Sequence, residues 1–515
     1  MTGTRAVSTA VRRYASAVRP GHVLIVVAGT YFVTQLLIIQ PERFFGWDEA
    51  IYLAEVYPDR PSIEWGPHRA RGVTFLVAPV AALAPEAEAV RIYMAAATAL
   101  LLLLAYASWL PSIGWGAAWG GMAFAFSWMP LVQGSEVLPN IPAALCAVGL
   151  TGAFLGRVMG GRRLWSAAAV VMFGCALALL RPSETVPLAT VLVMGGAYWS
   201  LAGRPSSASL SHGHLLADLV LLGAGMALGW GHWVVEAVTK FDGPMRRFSA
   251  AAAVLPGSPD SVLSMLWTYI QTVDGPLAYP GQAGLTPIGV VWMAFFLTGC
   301  VFALIDGKAA RFLAATVLVA AIALLAGYLM YDWIEVRFLA PAWALVSIAV
   351  GLGFSRLVHV VRPNRAATAS AASLVAVAVV LMPWHIGIAQ DLSAYLSEMA
   401  QSDREVAEAI RALTGSPPCA VYADYGTPQL EFASGCEGTF ISGAGPEAPP
   451  GLQDSRSAAG GVVVALRQEP PAESFLEGWK EKTIPALHGP DWTLYVPPDQ
   501  APHRGLRQGG QATRS

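Results

Sequence analysis

Charge is what this sequence has least of. Of its 515 residues, 13% are Asp, Glu, Lys or Arg, about half of the roughly 25% usual for a soluble domain. Apolar residues make up 55%, and the mean hydropathy is +0.52. One soluble core could not enclose that much apolar surface, and a disordered chain is excluded for the same reason. Metal and nucleotide signatures are missing as well. The nine histidines form no HExxH and no clustered ligand spacing, and no GxxxxGK[ST] is present to cradle ATP. The five cysteines include no CxxC. Cys146, Cys175 and Cys300 lie in apolar segments and read as small hydrophobes. Cys419 and Cys436 lie in a polar tail and can pair if that tail is outside the cytoplasm. A net charge of −2 offers no basic field, so nucleic acid is excluded as a partner. Arginine outnumbers lysine 28 to 4, a composition suggesting a GC-rich bacterial genome.

What the sequence does have is long, continuous apolar runs. They are not the alternating segments of a membrane barrel, so the class is a polytopic α-helical membrane protein. The first run, 22–40, follows Arg5, Arg12, Arg13 and Arg19. It is long for a signal peptide and no small-residue cleavage site follows it, so it reads as a retained anchor. Ten further spans are expected at about 89–110, 116–133, 141–157, 164–181, 185–203, 214–237, 284–305, 312–330, 338–355 and 366–386, eleven in all. The run 72–85 is too short to span and reads as an interfacial or re-entrant piece.

Basic residues set the orientation. With the N-terminus inside, the cytoplasmic loops hold Arg157, Arg162, Arg163, Arg204, Lys308, Arg311, Arg356, Arg362 and Arg365. The C-terminus is then outside. Before the tail, only Asp218 and Asp306 among the acids fall away from the outside loops. The expected domains are a membrane module over 1–387, a small extracytoplasmic α/β domain over 388–498 and a disordered tail over 499–515. The module carries two large outside loops, 41–88 and 238–283. In the tail, Ser402-Asp403-Arg404-Glu405 has the form of a capping box ahead of a helical pattern that ends at Gly415. Strand-like runs follow at 420–423, 461–466 and 492–496.

The first outside loop opens with Phe44-Phe45-Gly46-Trp47-Asp48-Glu49-Ala50-Ile51-Tyr52. A carboxylate at the membrane surface is placed to take a proton from a hydroxyl nucleophile. Acids in the first turn of a helix also serve the macrodipole alone. A second acid, Glu136, lies in Glu136-Val137-Leu138-Pro139-Asn140-Ile141-Pro142, between the third and fourth spans. Arg337 opens the tenth span in Arg337-Phe338-Leu339-Ala340-Pro341, an outside position that runs against the positive-inside bias.

Placed after span one, and followed by Ala89-Val90-Arg91-Ile92 at span two, these motifs resemble the GT-C glycosyltransferases, which use lipid-phosphate-linked sugars. Protein O-mannosyltransferases and the lipid A aminoarabinose transferase belong to that class. The resemblance covers nearly the whole chain through short motifs. It implies a GT-C-like membrane glycosyltransferase that moves a sugar from a polyprenyl-phosphate donor to an extracytoplasmic acceptor, a cell-envelope glycan, lipid or protein, with inversion. Asp48 would be the base and Glu49 its support, with Glu136 as the second acidic site. Arg337, His68, Arg69, Arg246 and Arg247 would face the donor phosphate. Family members often carry Asp where Asn140 stands, which leaves a divalent metal held by two carboxylates undecided.

A flippase for lipid-linked sugars is the main alternative. A secondary transporter is disfavoured because the span interiors carry almost no charge, and a membrane sensor because no signalling motif is present.

Overall fold

The computed structural model describes residues 19–39, 43–161, 164–203, 212–254, 262–272, 285–330, 335–361, 365–415, 417–457, 461–471 and 473–500. The expected disordered tail lies, from residue 501 on, outside the described residues. Contacts divide the chain into a membrane unit (1–39, 66–73 and 92–392) and a terminal unit (40–65, 74–91 and 393–515). The terminal unit therefore joins the tail to most of the first loop, where the sequence reading had the tail as a domain by itself.

The helices run in chain order as α1 (Pro20–Ile38), α2 (Trp47–Ala54), α3 (Gly72–Leu83), α4 (Ala87–Ala107), α5 (Trp115–Ala125), α6 (Trp128–Gln133), α7 (Asn140–Val158), α8 (Leu164–Leu180) and α9 (Pro182–Tyr198). They continue as α10 (His212–Lys240), α11 (Pro244–Val254), α12 (Val262–Gln271), α13 (Pro287–Ile305), α14 (Lys308–Tyr328), α15 (Ala340–Val361), α16 (Arg365–Thr414), α17 (Thr427–Ser434) and α18 (Leu452–Ser457). Seven of those described, α1, α4, α7, α10, α13, α14 and α15, are long and apolar enough to cross a bilayer. The 12-residue α3 reaches only about 18 Å at 1.5 Å per residue, too short to cross, as its sequence implied. The expected span 116–133 is two helices, because the backbone leaves helical geometry at Phe126 and Ser127.

Within the membrane unit, α7 is buried along almost its whole length and packs against α8 and α15. Small residues let the helices approach. A Cβ on Gly351 of α15 would overlap the Gly116 carbonyl of α5. Polar pairs add to the packing: Tyr106 Oη lies 2.7 Å from Ser347 Oγ. The two acids off the expected outside pattern are both paired with arginines. Asp218 accepts from Arg157 at 2.8 Å, and Asp306 lies 3.1 Å from Arg356.

The terminal unit holds a five-stranded sheet in the order β2-β1-β3-β5-β4. Its strands are β1 (Ala420–Ala423), β2 (Glu437–Phe440), β3 (Val462–Leu466), β4 (Lys480–Ile484) and β5 (Trp492–Val496). β2, β1 and β3 are parallel, while β5 runs antiparallel to both β3 and β4. The alternation of each strand sends Val421, Ala423, Val463 and Trp492 to one face, against Val406 and Ile410 of α16 and Leu430 of α17. Tyr422, Val462, Val464 and Tyr495 pack on the other face with Leu452 of α18. Ser402 is not a helix cap: α16 runs unbroken from Arg365 to Thr414 and carries the residue in its interior. Cys419 and Cys436 are disulfide-bonded at a sequence separation of 17, closing a loop that contains α17. In the chain-entropy account a loop of that size is worth about 3 kcal/mol.

Burial pushes the Glu431 carboxyl of α17 from 4.5 up to about 7, against a Gly438 hydrogen bond that favours its charge. Between those values the folded state holds more protons than the unfolded state. Stability therefore falls as pH rises through that window and levels off above it. Glu431→Gln removes this slope. Its melting temperature should match the wild type near pH 4 and exceed it at about pH 8, as read by thermal unfolding.

Candidate active site

The acidic motif folds as the short helix α2, preceded by an extended Gly46. The Glu49 carboxylate turns back to accept the Gly46 N–H at 2.9 Å, satisfying one donor the helix end leaves open. Ala50, Ile51, Leu53 and Ala54 are buried, whereas Asp48 is half-buried and Trp47 exposed.

Glu49 is also held from the other side. Arg91 grips it with two bonds, Nη1 to Oε1 at 2.5 Å and Nη2 to Oε2 at 2.8 Å. The same guanidinium donates to Phe44 O at 3.1 Å and lies over the Phe45 ring at 5.5 Å. Burial alone would raise the Glu49 carboxyl, but Arg91, with help from Arg43 and Gly46, holds it below the usual carboxylate range. Glu49 is thus a fixed anion facing its own cation, and Asp48 beside it is the more exposed carboxylate.

Helix α17 packs on α2. Phe432 meets the rings of Phe44, Phe45 and Tyr57 at centroid distances of 6.1, 5.7 and 5.3 Å. Arg60 lies over the Phe432 ring at 5.2 Å and donates to Ala433 O at 3.3 Å. The Gln429 amide, turned so that both of its ends are satisfied, accepts from Trp47 N–H at 3.2 Å and donates to Gly426 O at 3.1 Å. One more N–H at the start of α2 is thereby taken up.

The remaining candidate residues lie in the membrane unit. Glu136 is half-buried in the turn between α6 and α7. Asn140, nearly fully buried, donates its amide N–H to Arg337 O at 3.1 Å, a bond that an ionised Asp could not make. This brings the Glu136 and Arg337 segments together. Arg337 lies 3.6 Å from Glu335.

A second cluster gathers the basic residues. Glu236 accepts from Arg71 at 2.6 Å and forms an ion pair with Arg247 at 2.9 Å. Arg247 also donates to Pro67 O at 3.1 Å, Trp233 O at 3.1 Å and Arg69 O at 2.8 Å, fully buried under the Trp233 and Phe241 rings. Arg247 therefore ties the His68–Arg71 stretch to α10 and α11. Arg246 is exposed and pairs with Asp242 at 2.9 Å, while His68 is exposed. Among the described residues no group of three or more His, Cys, Asp or Glu side chains could hold a metal ion. A cavity of about 40 Å³ is lined by Trp128, Tyr269, Trp292, Trp343 and His385, among others. It is too small for a sugar, since benzene already needs roughly 150 Å³.

Sequence reasoning grouped Arg71 with His68 and Arg69 as a contact for donor phosphate or acceptor, and assigned no role to Arg91, Glu236 or Gln429. For Arg91 a signal existed: a cation at the expected outside end of a span. Glu236 and Gln429 carry no local signal, because their partners are far away in the chain.

No family profile matches the chain, and no curated protein matches it by sequence. Solved structures do. ArnT from Cupriavidus metallidurans bound to undecaprenyl phosphate is similar over 93% of this chain and 98% of that one, with a TM-score of 0.58 and 12% identity. The Archaeoglobus fulgidus oligosaccharyltransferase in its apo form matches over 81% and 64%, at 0.51 and 14%. Arabinofuranosyltransferase AftD from Mycobacteria matches over 93% and 40%, at 0.52 and 14%. This chain is a multi-pass membrane protein with the GT-C fold.

Breaking the Arg91–Glu49 pair from one side leaves a buried, uncompensated charge. Arg91→Met should cost about 3–5 kcal/mol, measured as a lowered thermal midpoint. The double variant Arg91→Met/Glu49→Leu should recover much of that loss.

Proposed function

We propose that the protein is an integral membrane glycosyltransferase that moves a sugar from a polyprenyl-phosphate donor to an extracytoplasmic cell-envelope acceptor. The observation that carries this reading is the pair of acids on α2. Glu49 is committed to Arg91, while Asp48 stands half-buried one residue away, at the helix start. A fold shared with ArnT, solved bound to undecaprenyl phosphate, favours a lipid-phosphate leaving group. The Cys419–Cys436 disulfide favours placing the terminal unit outside the cytoplasm.

In the proposed reaction the Asp48 carboxylate takes the proton of the acceptor hydroxyl. The oxygen attacks the anomeric carbon as the bond to phosphate breaks, and polyprenyl phosphate leaves with the bonding electrons. One displacement inverts the anomeric centre. The transition state carries positive charge on the sugar, which a nearby carboxylate stabilises. Arg337, the basic stretch His68–Arg69 and Arg246 of the 238–283 loop are the proposed phosphate contacts. Arg247 would serve by holding that stretch in place. Glu136 is the proposed second acid.

The test is release of free polyprenyl phosphate from a panel of labelled polyprenyl-phosphate sugars, with purified protein and membrane extract as acceptor. Asp48→Asn should lose at least about a hundredfold in transfer, the scale of one general base, while donor binding persists. Donor bound but never consumed by the wild type would sink the proposal and favour lipid-linked sugar flipping.

A further inference from the structure

The terminal unit has a topological feature that its sheet order defines. β1 is flanked by β2 on one side and β3 on the other, all three parallel. The chain leaves the carboxyl end of β1 toward α17 and β2, and leaves the carboxyl end of β3 toward β4. Connections that depart in opposite directions open a crevice at the carboxyl ends of the two strands, where open α/β sheets bind their ligands.

The residues at this crevice are chemically distinct from the rest of the sheet. Asp424, just past β1, accepts the N–H groups of Arg467 and Gln468 just past β3, at 3.0–3.2 Å, and fixes the two ends together. Tyr425 follows, 42% exposed. The Arg467 guanidinium lies 5.0 Å from the Tyr425 ring and 5.3 Å from the Trp492 ring, held by His488 O at 2.7 Å and Pro490 O at 3.3 Å. Trp492 is fully buried and, among the described residues, its indole N–H has no partner. Asp403 of α16 faces Arg467 and Tyr425 electrostatically.

The crevice adjoins the proposed base. Gly426, next to Tyr425, accepts from Gln429, and Gln429 accepts from the N–H of Trp47, the residue before Asp48. Trp47 is 40% exposed. The Gln429 amide thus links the segment that carries Tyr425 to the residue before Asp48.

Resting on the glycosyltransferase reading above, we propose that the carboxyl ends of β1 and β3 bind the acceptor, and that the acceptor is a neutral glycan. Tyr425 is the stacking ring, and Gln468 is the hydroxyl partner. A sugar presents an apolar C–H face and a rim of hydroxyls. A flat exposed ring bordered by carboxylate, amide and guanidinium groups matches both. An acyl chain would leave those polar groups desolvated and unpaired, which disfavours a lipid acceptor at this surface.

Ligand-observed saturation-transfer NMR on the full-length protein tests this, using tri- to hexasaccharides of mannose and of arabinose as probes. Wild type and Asp48→Asn should bind a probe equally. Tyr425→Ala should weaken it about tenfold, as loss of one stacking contact does, and Tyr425→Trp should restore it, with thermal midpoints unchanged. In turnover, Tyr425→Ala should raise the acceptor KM with kcat near wild type. Binding of every probe unaltered by Tyr425→Ala, or Tyr425-dependent binding to phospholipid vesicles in place of sugars, would overturn the proposal. Asp48-dependent transfer with an unchanged acceptor KM in Tyr425→Ala would refute this inference and leave the glycosyltransferase reading intact. Tyr425-dependent sugar binding without donor consumption would do the reverse.

Discussion

One bidentate ion pair organises the candidate active site. Arg91 and Glu49 are each nearly inaccessible to water and face one another at hydrogen-bond distance. Isolated in such surroundings, each would be strongly unfavourable; together they fix the helix that carries Asp48. The pair also sets the two adjacent acids apart. Two adjacent carboxylates in solution are nearly equivalent. Here one is bound by a guanidinium and by the Gly46 N–H, and its neighbour keeps its access to solvent. The separation of roles comes from environment, the principle by which paired carboxylates in many enzymes are told apart.

The second support is aromatic. Phe44, Phe45, Tyr57 and Phe432 form a cluster of tilted and edge-on rings, the geometry that ring quadrupoles favour. It joins the segment after the first span to α17. Burial of these rings and donation from Arg60 make the tail a structural part of the α2 region. The tail is therefore more than an appended cover.

The overall class was legible because hydropathy is a bulk property: long apolar runs can be read without knowing any contact. The tail strands divide in an instructive way. β1, β3 and β5 lie inside the sheet and read as buried β-branched or aromatic runs. β2 and β4 are the edges, and their sequences, EGTF and KEKTI, are polar because exposed edges carry charge to avoid pairing with other chains. They gave no apolar signal. The Ser402–Glu405 capping pattern misled because four residues of that type also fit the interior of a polar helix such as α16. Asp48 and Glu49 stood out as candidates from their place after the first span. The commitment of Glu49 to Arg91 was not legible, since it depends on side chains 42 positions apart. Asn140 looked like a lost acid, and its contact with Arg337 O makes it a donor instead.

The distance along the chain between α2 and its partner α17 also governs when the site can exist. Arg60 reaches the carbonyl of Ala433 across 373 residues, and among the described residues every helix long and apolar enough to cross the bilayer precedes that point. During synthesis, which proceeds from the N-terminus, the membrane helices emerge first and α2 waits without its partner. Only when the last hundred or so residues have folded does the helix bearing Asp48 acquire its full set of neighbours. A chain cut short after its final span would keep all of its membrane helices and still hold an unfinished site.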